Sequence, residues 1–111
     1  MTDITIEKGS GNVYADLGMA DAQEMLVKAK LASKIGDILK RQNLTQQQAA
    51  ELLAMPQPKV SQMLRGQFRG ISEAKMLECL ARLGRDIDIV VKPARRRSVA
   101  GAAGRVNVVF A

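Results

Sequence analysis

Residues 45–66, TQQQAAELLAMPQPKVSQMLRG, limit the fold more than any other stretch of this 111-residue chain. Leucine, valine and methionine recur there at helical intervals, but Pro56 and Pro58 interrupt the pattern near its middle. Proline is disfavoured inside a helix and accepted in its first turn, where the missing N–H has no partner to lose. The stretch therefore predicts two short helices joined by a tight break, and the break sets the angle between them.

A longer helix is predicted upstream of this stretch, running from Asp21 to about Gln42. One stripe of it is apolar, because the following residues recur at three- and four-residue steps: Ala22, Met25, Leu26, Ala29, Ala32, Ile35, Ile38 and Leu39. Asp21 suits the N-cap, and Asn43 suits a left-handed stop.

The second and third helices occupy the interrupted stretch itself. Thr45 caps the second helix, Gln48 completes a reciprocal capping pair, and the helix ends near Ala54. Gln57 is expected to cap the third helix, 58–66, because a residue before proline is biased away from helical dihedrals. The inner face of the third helix comprises Val60, Met63 and Leu64, and the outer face comprises Pro58, Ser61, Gln62 and Arg65, with Lys59 on the flank.

A fourth helix is predicted between Ser72 and Gly84. Its inner face comprises Met76, Leu77, Leu80, Ala81 and Leu83. Residues 1–20 carry no sustained periodicity and are interpreted as an irregular arm. The predicted organisation is therefore an N-terminal arm (1–20), a helical domain (21–84) and a β extension with a basic tail (85–111).

The C-terminal part contains two strand candidates, DIDIVV at 86–91 and RVNVVF at 105–110. The first alternates as a strand does, and it could pair with a second copy of itself or with a strand such as the second candidate. Between them, ARRRSVAGAAG has the small and charged residues of a mobile linker.

Composition argues against an enzyme, because histidine is absent and Cys79 is the only cysteine. No disulfide can form within the chain and no histidine-cysteine metal cluster can be assembled, so neither a metal nor another cofactor is expected. Cys79 lies among apolar residues and is interpreted as a buried, inert thiol. Asp86 and Asp88 could in principle hold Mg²⁺, but the solvated face of a strand explains them more simply.

Positive charge is concentrated in two parts of the chain. Residues 31–70 carry six basic and two acidic side chains, and residues 92–111 carry five basic and no acidic ones. With a net charge of +6, this distribution is typical of a polyanion-binding protein. A membrane surface is the rival partner, but the basic tail has neither helical periodicity nor bulky anchors. Three aromatic residues are too few to stack single-stranded bases, which leaves duplex DNA.

The start of the chain and its hydropathy bear on location. The first residues lack the basic start and apolar run of a signal peptide, and no apolar run approaches the roughly 18 residues of a membrane span. We therefore expect a cytoplasmic protein.

The stretch LTQQQAAELLAMPQPKVSQMLRG resembles the helix-turn-helix of the lambda-repressor-like, Xre-type DNA-binding family. The resemblance spans about 21–83, with Gln46 at the glutamine that opens the first motif helix, Ala50 at the small residue between the helices, and Val60 at the aliphatic residue locking the second. It implies a mainly α bundle of four to five helices with a short C-terminal β extension. GNVYADLG upstream and LGRDIDIVVKP downstream are similar to a HigA-type, antitoxin-like subgroup.

Two positions depart from the family pattern. The turn has Ala54 where the family usually has glycine. Either alanine adopts a positive φ there, at a cost of about 1 kcal/mol, or the turn differs slightly from the family's. Pro56 replaces a hydrogen-bonding cap and removes a backbone donor, so no phosphate contact is expected at residue 56.

The third helix is predicted to read base edges in the major groove. Gln57 and Gln62 each offer the donor and acceptor that pair with adenine, and Ser61 and Lys59 are secondary readers. The resemblance implies that Gln46 braces Gln57 and touches a phosphate. Further phosphate candidates are Lys40, Arg41, Arg65 and Arg69. For any one of these basic residues, solvation is an equally simple explanation.

One such helix contacts only a few base pairs, so a homodimer on a pseudo-palindromic operator is expected. Two functions remain open. One is a sequence-specific regulator, a repressor of its own operon and the antitoxin of a toxin-antitoxin pair. The other is a module that chiefly binds and neutralises a small toxin protein, with DNA binding secondary. An enzyme is a distant third.

Overall fold

The computed structural model describes residues 19–94 and 104–111 of the chain. In these residues the secondary structure is helical: α1 (Met19–Arg41), α2 (Gln46–Leu53), α3 (Gln57–Leu64) and α4 (Glu73–Arg82). α1 packs against α3 and α4, and α2 packs against the same two helices. The expected mainly α bundle is confirmed, with four helices in the described part.

α1 begins at Met19, two residues before the expected cap. Asp21 lies instead in the first turn, where its carboxylate interacts favourably with the helix dipole. The helix ends at Arg41, and Asn43 takes the predicted left-handed conformation with φ 54°. The N–H of Leu44 then donates to the carbonyl of Leu39 at 3.1 Å, so the chain turns sharply towards α2.

α2 has the predicted caps at both ends. Thr45 Oγ1 accepts from the N–H of Gln48 at 3.1 Å, and Gln48 Oε1 accepts from the N–H of Thr45 at 2.9 Å. Ala54 closes the helix in the left-handed region, with φ 55° and ψ 47°. The predicted capping pair and the positive φ of an alanine at the turn are both confirmed.

The start of α3 differs from the prediction by one residue. Pro56 is the N-cap, with φ −59° and ψ 143°, and Gln57 is already helical. The carbonyl of Pro56 accepts from the N–H groups of Lys59 at 2.9 Å and Val60 at 3.1 Å. These two hydrogen bonds outweigh the bias that Pro58 places on the residue before it. The helix ends at Leu64, before Gly66 with φ 85°.

The core lies between the inner faces of the four helices. Its largest fully buried side chains are Leu31, Ile35, Ile38, Leu53, Val60, Met63, Met76 and Cys79. Two residues assigned to inner faces, Leu26 and Ala81, are exposed. Each is five residues from a fully buried residue of its helix, Leu31 or Met76, which places it about 140° around the helix.

The expected β extension is not seen, because the described residues contain no strand. Within that part of the chain, no backbone–backbone hydrogen bond involves 86–94.

Residues 104–111 do not pair with this segment either but lie along α1. The contacts are Val106 N to Gln23 Oε1 at 3.0 Å, Lys30 Nζ to Asn107 Oδ1 at 3.1 Å and to the Val108 carbonyl at 3.3 Å, and Lys34 Nζ at 5.4 Å from the Phe110 ring centre. A strand requires a hydrogen-bonded neighbour, and the described chain offers none to 86–94.

Residues 1–18 of the predicted arm, which include the sequence GNVYADLG, and most of the basic linker lie outside the described residues. Residues 19 and 20, also assigned to the arm, belong instead to α1.

Candidate nucleic-acid interface

The turn between α2 and α3 is three residues long and is fixed by hydrogen bonds and burial. The N–H of Met55 donates to the carbonyl of Ala50 at 3.0 Å, and the N–H of Ala54 donates to that of Glu51 at 3.3 Å. The Met55 side chain is buried in the core, and Ala50 is partly buried against it. The angle between the two helices is therefore set by packing as well as by the sequence break.

α3 has one face in the core and one in solvent. Val60 and Met63 are buried, as predicted, and Leu64 is partly buried against the same core. The four predicted base-reading residues lie on the other side: Gln57, Lys59 and Gln62 are exposed, and Ser61 is half-buried. Gln57 and Ser61 are one turn apart on the helix, and Gln62 lies in the adjacent row. α3 therefore presents amide, hydroxyl and amine groups from a helix whose opposite side is anchored.

The predicted phosphate-binding residues fall at two connections. Lys40 and Arg41 end α1 and Gln46 begins α2, while Arg65 and Arg69 follow α3. All five are exposed. No hydrogen bond joins Gln46 to Gln57 among the described side chains, so the brace implied by the family resemblance is not formed in this structure.

The loop after α3 is held by buried side chains and hydrogen bonds although it has no regular secondary structure. Phe68 and Ile71 are buried, and the N–H of Ile71 donates to the carbonyl of Phe68 at 2.9 Å. The N–H of Gln67 donates to the carbonyl of Gln62 at 2.8 Å, which ties the loop to α3. Arg69 is thus displayed by a loop whose neighbouring side chains lie in the core.

Lys28 of α1 also holds this loop, a role that the sequence reading missed. Its side chain is only 3% exposed, and its Nζ donates to the carbonyl of Arg69 at 3.1 Å. The same ammonium forms an ion pair with Glu24 at 3.1 Å. A signal was present in the sequence, because Lys28 lies four and seven residues before the buried Ala32 and Ile35 and so belongs to the inner row of α1.

Lys75 of α4 was also missed, and it braces the turn from the other side. Its Nζ lies 3.5 Å from the carbonyl of Leu53 and 3.4 Å from that of Ala54, where α2 leaves carbonyls without helical partners. It also pairs with Glu78 at 3.4 Å. Arg82 hydrogen-bonds the same carboxylate, and these two cations lower the pKa of Glu78. Lys75 and Lys59 line a shallow cleft of about 290 Å³ beside the turn.

Cys79, the chain's one cysteine, lies in the core. Cys79 is fully buried, its Sγ lies 3.5 Å from Met55 Sδ, and burial raises the pKa of its thiol. No group of three potential metal-ligating side chains occurs in 19–94 or 104–111. No helix there has both the length and the apolar character needed to cross a membrane.

A short, anchored helix with an exposed polar face, joined to its predecessor by a three-residue turn, defines a helix-turn-helix protein of the DNA-binding regulator class. The model of the helix-turn-helix domain family matches residues 13–92, and the chain therefore belongs to that family. It is a family of DNA-binding regulators rather than of enzymes.

The fold is also similar to that of a solved structure named "Putative XRE Family Transcriptional Regulator". That chain is 34% identical, the TM-score is 0.73, and the match covers 82% of this chain and 99% of the other. The Xre-type resemblance of the sequence is thus confirmed, whereas the HigA-type subgroup is not. None of the curated proteins matches the sequence significantly.

Proposed function

We propose that the protein is a sequence-specific, double-stranded-DNA-binding transcriptional regulator, acting as a repressor, that reads the major groove with α3. The observation that carries the proposal is the division of this eight-residue helix into a buried and a solvated side. Val60 and Met63 are buried, while Gln57 and Gln62 are exposed. An anchored helix of this kind fits the major groove, which is about 12 Å wide.

The amide side chains of Gln57 and Gln62 are the proposed principal base contacts, since each can pair with the N6 and N7 of adenine. Lys59 and Ser61 are the proposed secondary ones. Pro58, between Gln57 and Lys59, has no N–H and an apolar ring, so it offers no hydrogen-bond donor to a base.

The exposed basic and polar residues at the two connections are the proposed phosphate contacts. Lys40 and Arg41 end α1 and Gln46 begins α2, while Arg65 and Arg69 follow α3. Their exposure supports this assignment, because phosphate contacts orient a protein on the duplex without requiring buried side chains. The ion pair and carbonyl contact of Lys28 favour a fixed position for Arg69, which would otherwise lose conformational entropy on binding.

We assign DNA binding to 21–84 and dimerisation or partner binding to 85–111, with 1–20 as an arm. A dimer on a pseudo-palindromic operator would place the two α3 helices about one turn of DNA apart, roughly 34 Å. Such a regulator would act in the cytoplasm, and no cofactor enters this mechanism. We extend the proposal to the antitoxin of a toxin-antitoxin operon, in which the same chain would also bind a toxin.

The alternative is a module that chiefly binds a partner protein, such as a small toxin, with DNA binding secondary. It is favoured by one observation: Ile89, Val90 and Val91 are strongly exposed, as an unoccupied protein-binding segment would be. Co-purification of a small basic protein from the native source, released by disruption of this segment, would support the alternative.

The test of the proposed function is selection of bound fragments from genomic DNA, followed by affinity measurements at fixed salt. A regulator should enrich a few related sites and bind them about 10³-fold or more tightly than random duplex. Equal affinity for selected and random DNA would contradict it.

The phosphate assignments have a separate test. Lys40→Ala or Arg69→Ala should weaken binding to all duplexes alike and lower the slope of log affinity against log salt by about one unit. Arg82→Ala removes the same charge from the last turn of α4 and is the control. A slope that stays the same would remove that residue from the interface.

A further inference from the structure

Residues 86–92, DIDIVVK, form an exposed apolar segment directly after the helical body. Ile89 is 78% exposed and Val91 is 89% exposed, although both belong to residue types usually found in protein interiors. No described residue accepts or donates a backbone hydrogen bond to 86–94. A run of unpaired backbone groups with apolar side chains is a template for pairing with another chain.

We infer that residues 86–92 of two copies pair as antiparallel strands about a two-fold axis at Ile89, and that this ladder joins the dimer. The inference rests on the proposed function in its need for two copies on DNA. It adds the segment, the direction and the register of the pairing.

The side chains select this register. With Ile89 opposite Ile89, Ile87 faces Val91 of the other copy, so one face of the ladder is wholly apolar. On the other face Asp86 stands opposite Lys92 at both ends, and opposite charges across an antiparallel pair are stabilising. Moving the axis to Asp88 would place two aspartates opposite each other, and moving it to Val90 would place Ile87 opposite Pro93, which has no N–H to donate.

The strand candidate within the same chain is engaged elsewhere. Residues 104–111 are held along α1 by the contacts of Gln23, Lys30 and Lys34. The side chain of Val108 is partly buried against the core, as a docked segment requires. A second copy is therefore the partner that leaves both segments satisfied.

A two-stranded ladder alone is marginal in water. Association in solution should therefore depend on concentration, and it should strengthen when adjacent half-sites hold two copies close together.

The test is disulfide cross-linking in the absence of DNA, in a Cys79→Ala background. Residues directly opposite in an antiparallel pair have Cβ atoms about 4.5–5.5 Å apart, close to the range that a disulfide spans. Ile89→Cys should give a covalent dimer on mild oxidation. Ile87→Cys and Val91→Cys should each do so much less, whereas their equimolar mixture should give the mixed dimer. Because all three side chains are exposed, each variant should keep the helical circular dichroism of the parent.

Self-linking of Ile87→Cys as efficient as that of Ile89→Cys would overturn the register. An Ile89→Cys protein that stays monomeric at every concentration in sedimentation and resists cross-linking would overturn the ladder. Charge exchange gives an independent check: Asp86→Lys alone should weaken association several-fold, and Asp86→Lys with Lys92→Asp should restore it. If the double variant did not regain the association of the parent, that result would also count against the register.

These outcomes are separable from those of the proposed function. Cross-linking at Ile89 with no preference among DNA sequences would leave the ladder standing and remove the regulator. Sequence-specific binding by a protein that does not cross-link would do the reverse.

Discussion

Apolar residues of the same kind are buried in the helical body and exposed in the segment that follows it. Ile35 in α1 is 0% exposed and is enclosed by the other helices, whereas Ile89 in the segment is 78% exposed. Within one chain, the helical body buries apolar side chains in a core and forms its backbone hydrogen bonds. The segment has the composition of a strand but no hydrogen-bonded partner among the described residues.

The largest expected effect separates these two isoleucines. Ile35→Ala should lower the free energy of unfolding by about 2–5 kcal/mol, because it leaves a cavity in a packed core. Ile89→Ala should change it by less than about 0.5 kcal/mol in dilute protein, where no partner covers the side chain. Urea unfolding of both variants at low concentration checks the comparison, and similar losses would mean that the segment is part of the core.

The next effect concerns two lysines of α1 that differ in burial. Lys28→Met removes the donor to the Arg69 carbonyl and leaves Glu24 unpaired, so we expect a loss of about 1–3 kcal/mol. Lys30→Met, on the exposed side, should cost less than about 0.5 kcal/mol and should remove only the contacts of Asn107 and Val108 with α1. Amide hydrogen exchange should show faster exchange in loop 66–71 for the first variant only. The same exchange pattern in both would contradict a positioning role for Lys28.

A smaller effect is expected at the cap of α2. Thr45→Ala should cost about 1 kcal/mol by removing the acceptor for the N–H of Gln48. Ser72→Ala should cost about the same, since Ser72 Oγ accepts from the N–H of Lys75 at 3.0 Å. Thermal unfolding of both variants checks this, and a cost at neither position would show that packing alone holds these helix ends.

The smallest effect is a pH dependence on the surface of α4. Arg82 and Lys75 hold the pKa of Glu78 below its ordinary value of 4.5. The carboxylate therefore contributes stability above that value, and the contribution is lost as the pH falls through the lower pKa of the folded state. Comparing acid unfolding curves of Glu78→Gln and the parent checks the sign. A parent that gained stability relative to the variant on acidification would contradict it.

Features of the helical body that depend on neighbouring residues could be predicted from the sequence. The Thr45–Gln48 pair and the left-handed Asn43 depend on neighbouring residues, so local spacing was sufficient to predict them. The start of α3 was placed one residue late, because the hydrogen bonds accepted by Pro56 outweigh a local preference of Gln57. The exposure of the outer face of α3 follows from helical periodicity.

Contacts between residues far apart in the chain could not be predicted from the sequence. Lys28 meets Arg69 across 41 positions of the chain, and Lys30 meets Asn107 across 77. The strand character of DIDIVV was assigned from alternation, but a strand exists only with a partner, and alternation does not supply one.

The most direct test of base reading by α3 is the ratio of affinities for the selected operator and for random DNA. Gln57→Ala or Gln62→Ala should lower the corresponding difference in binding free energy by about 1–3 kcal/mol and relax the preference at one base position. Gln42→Ala, which changes an exposed glutamine just after α1, should leave the ratio unchanged. Losses of equal size on both DNAs would contradict base reading by this helix.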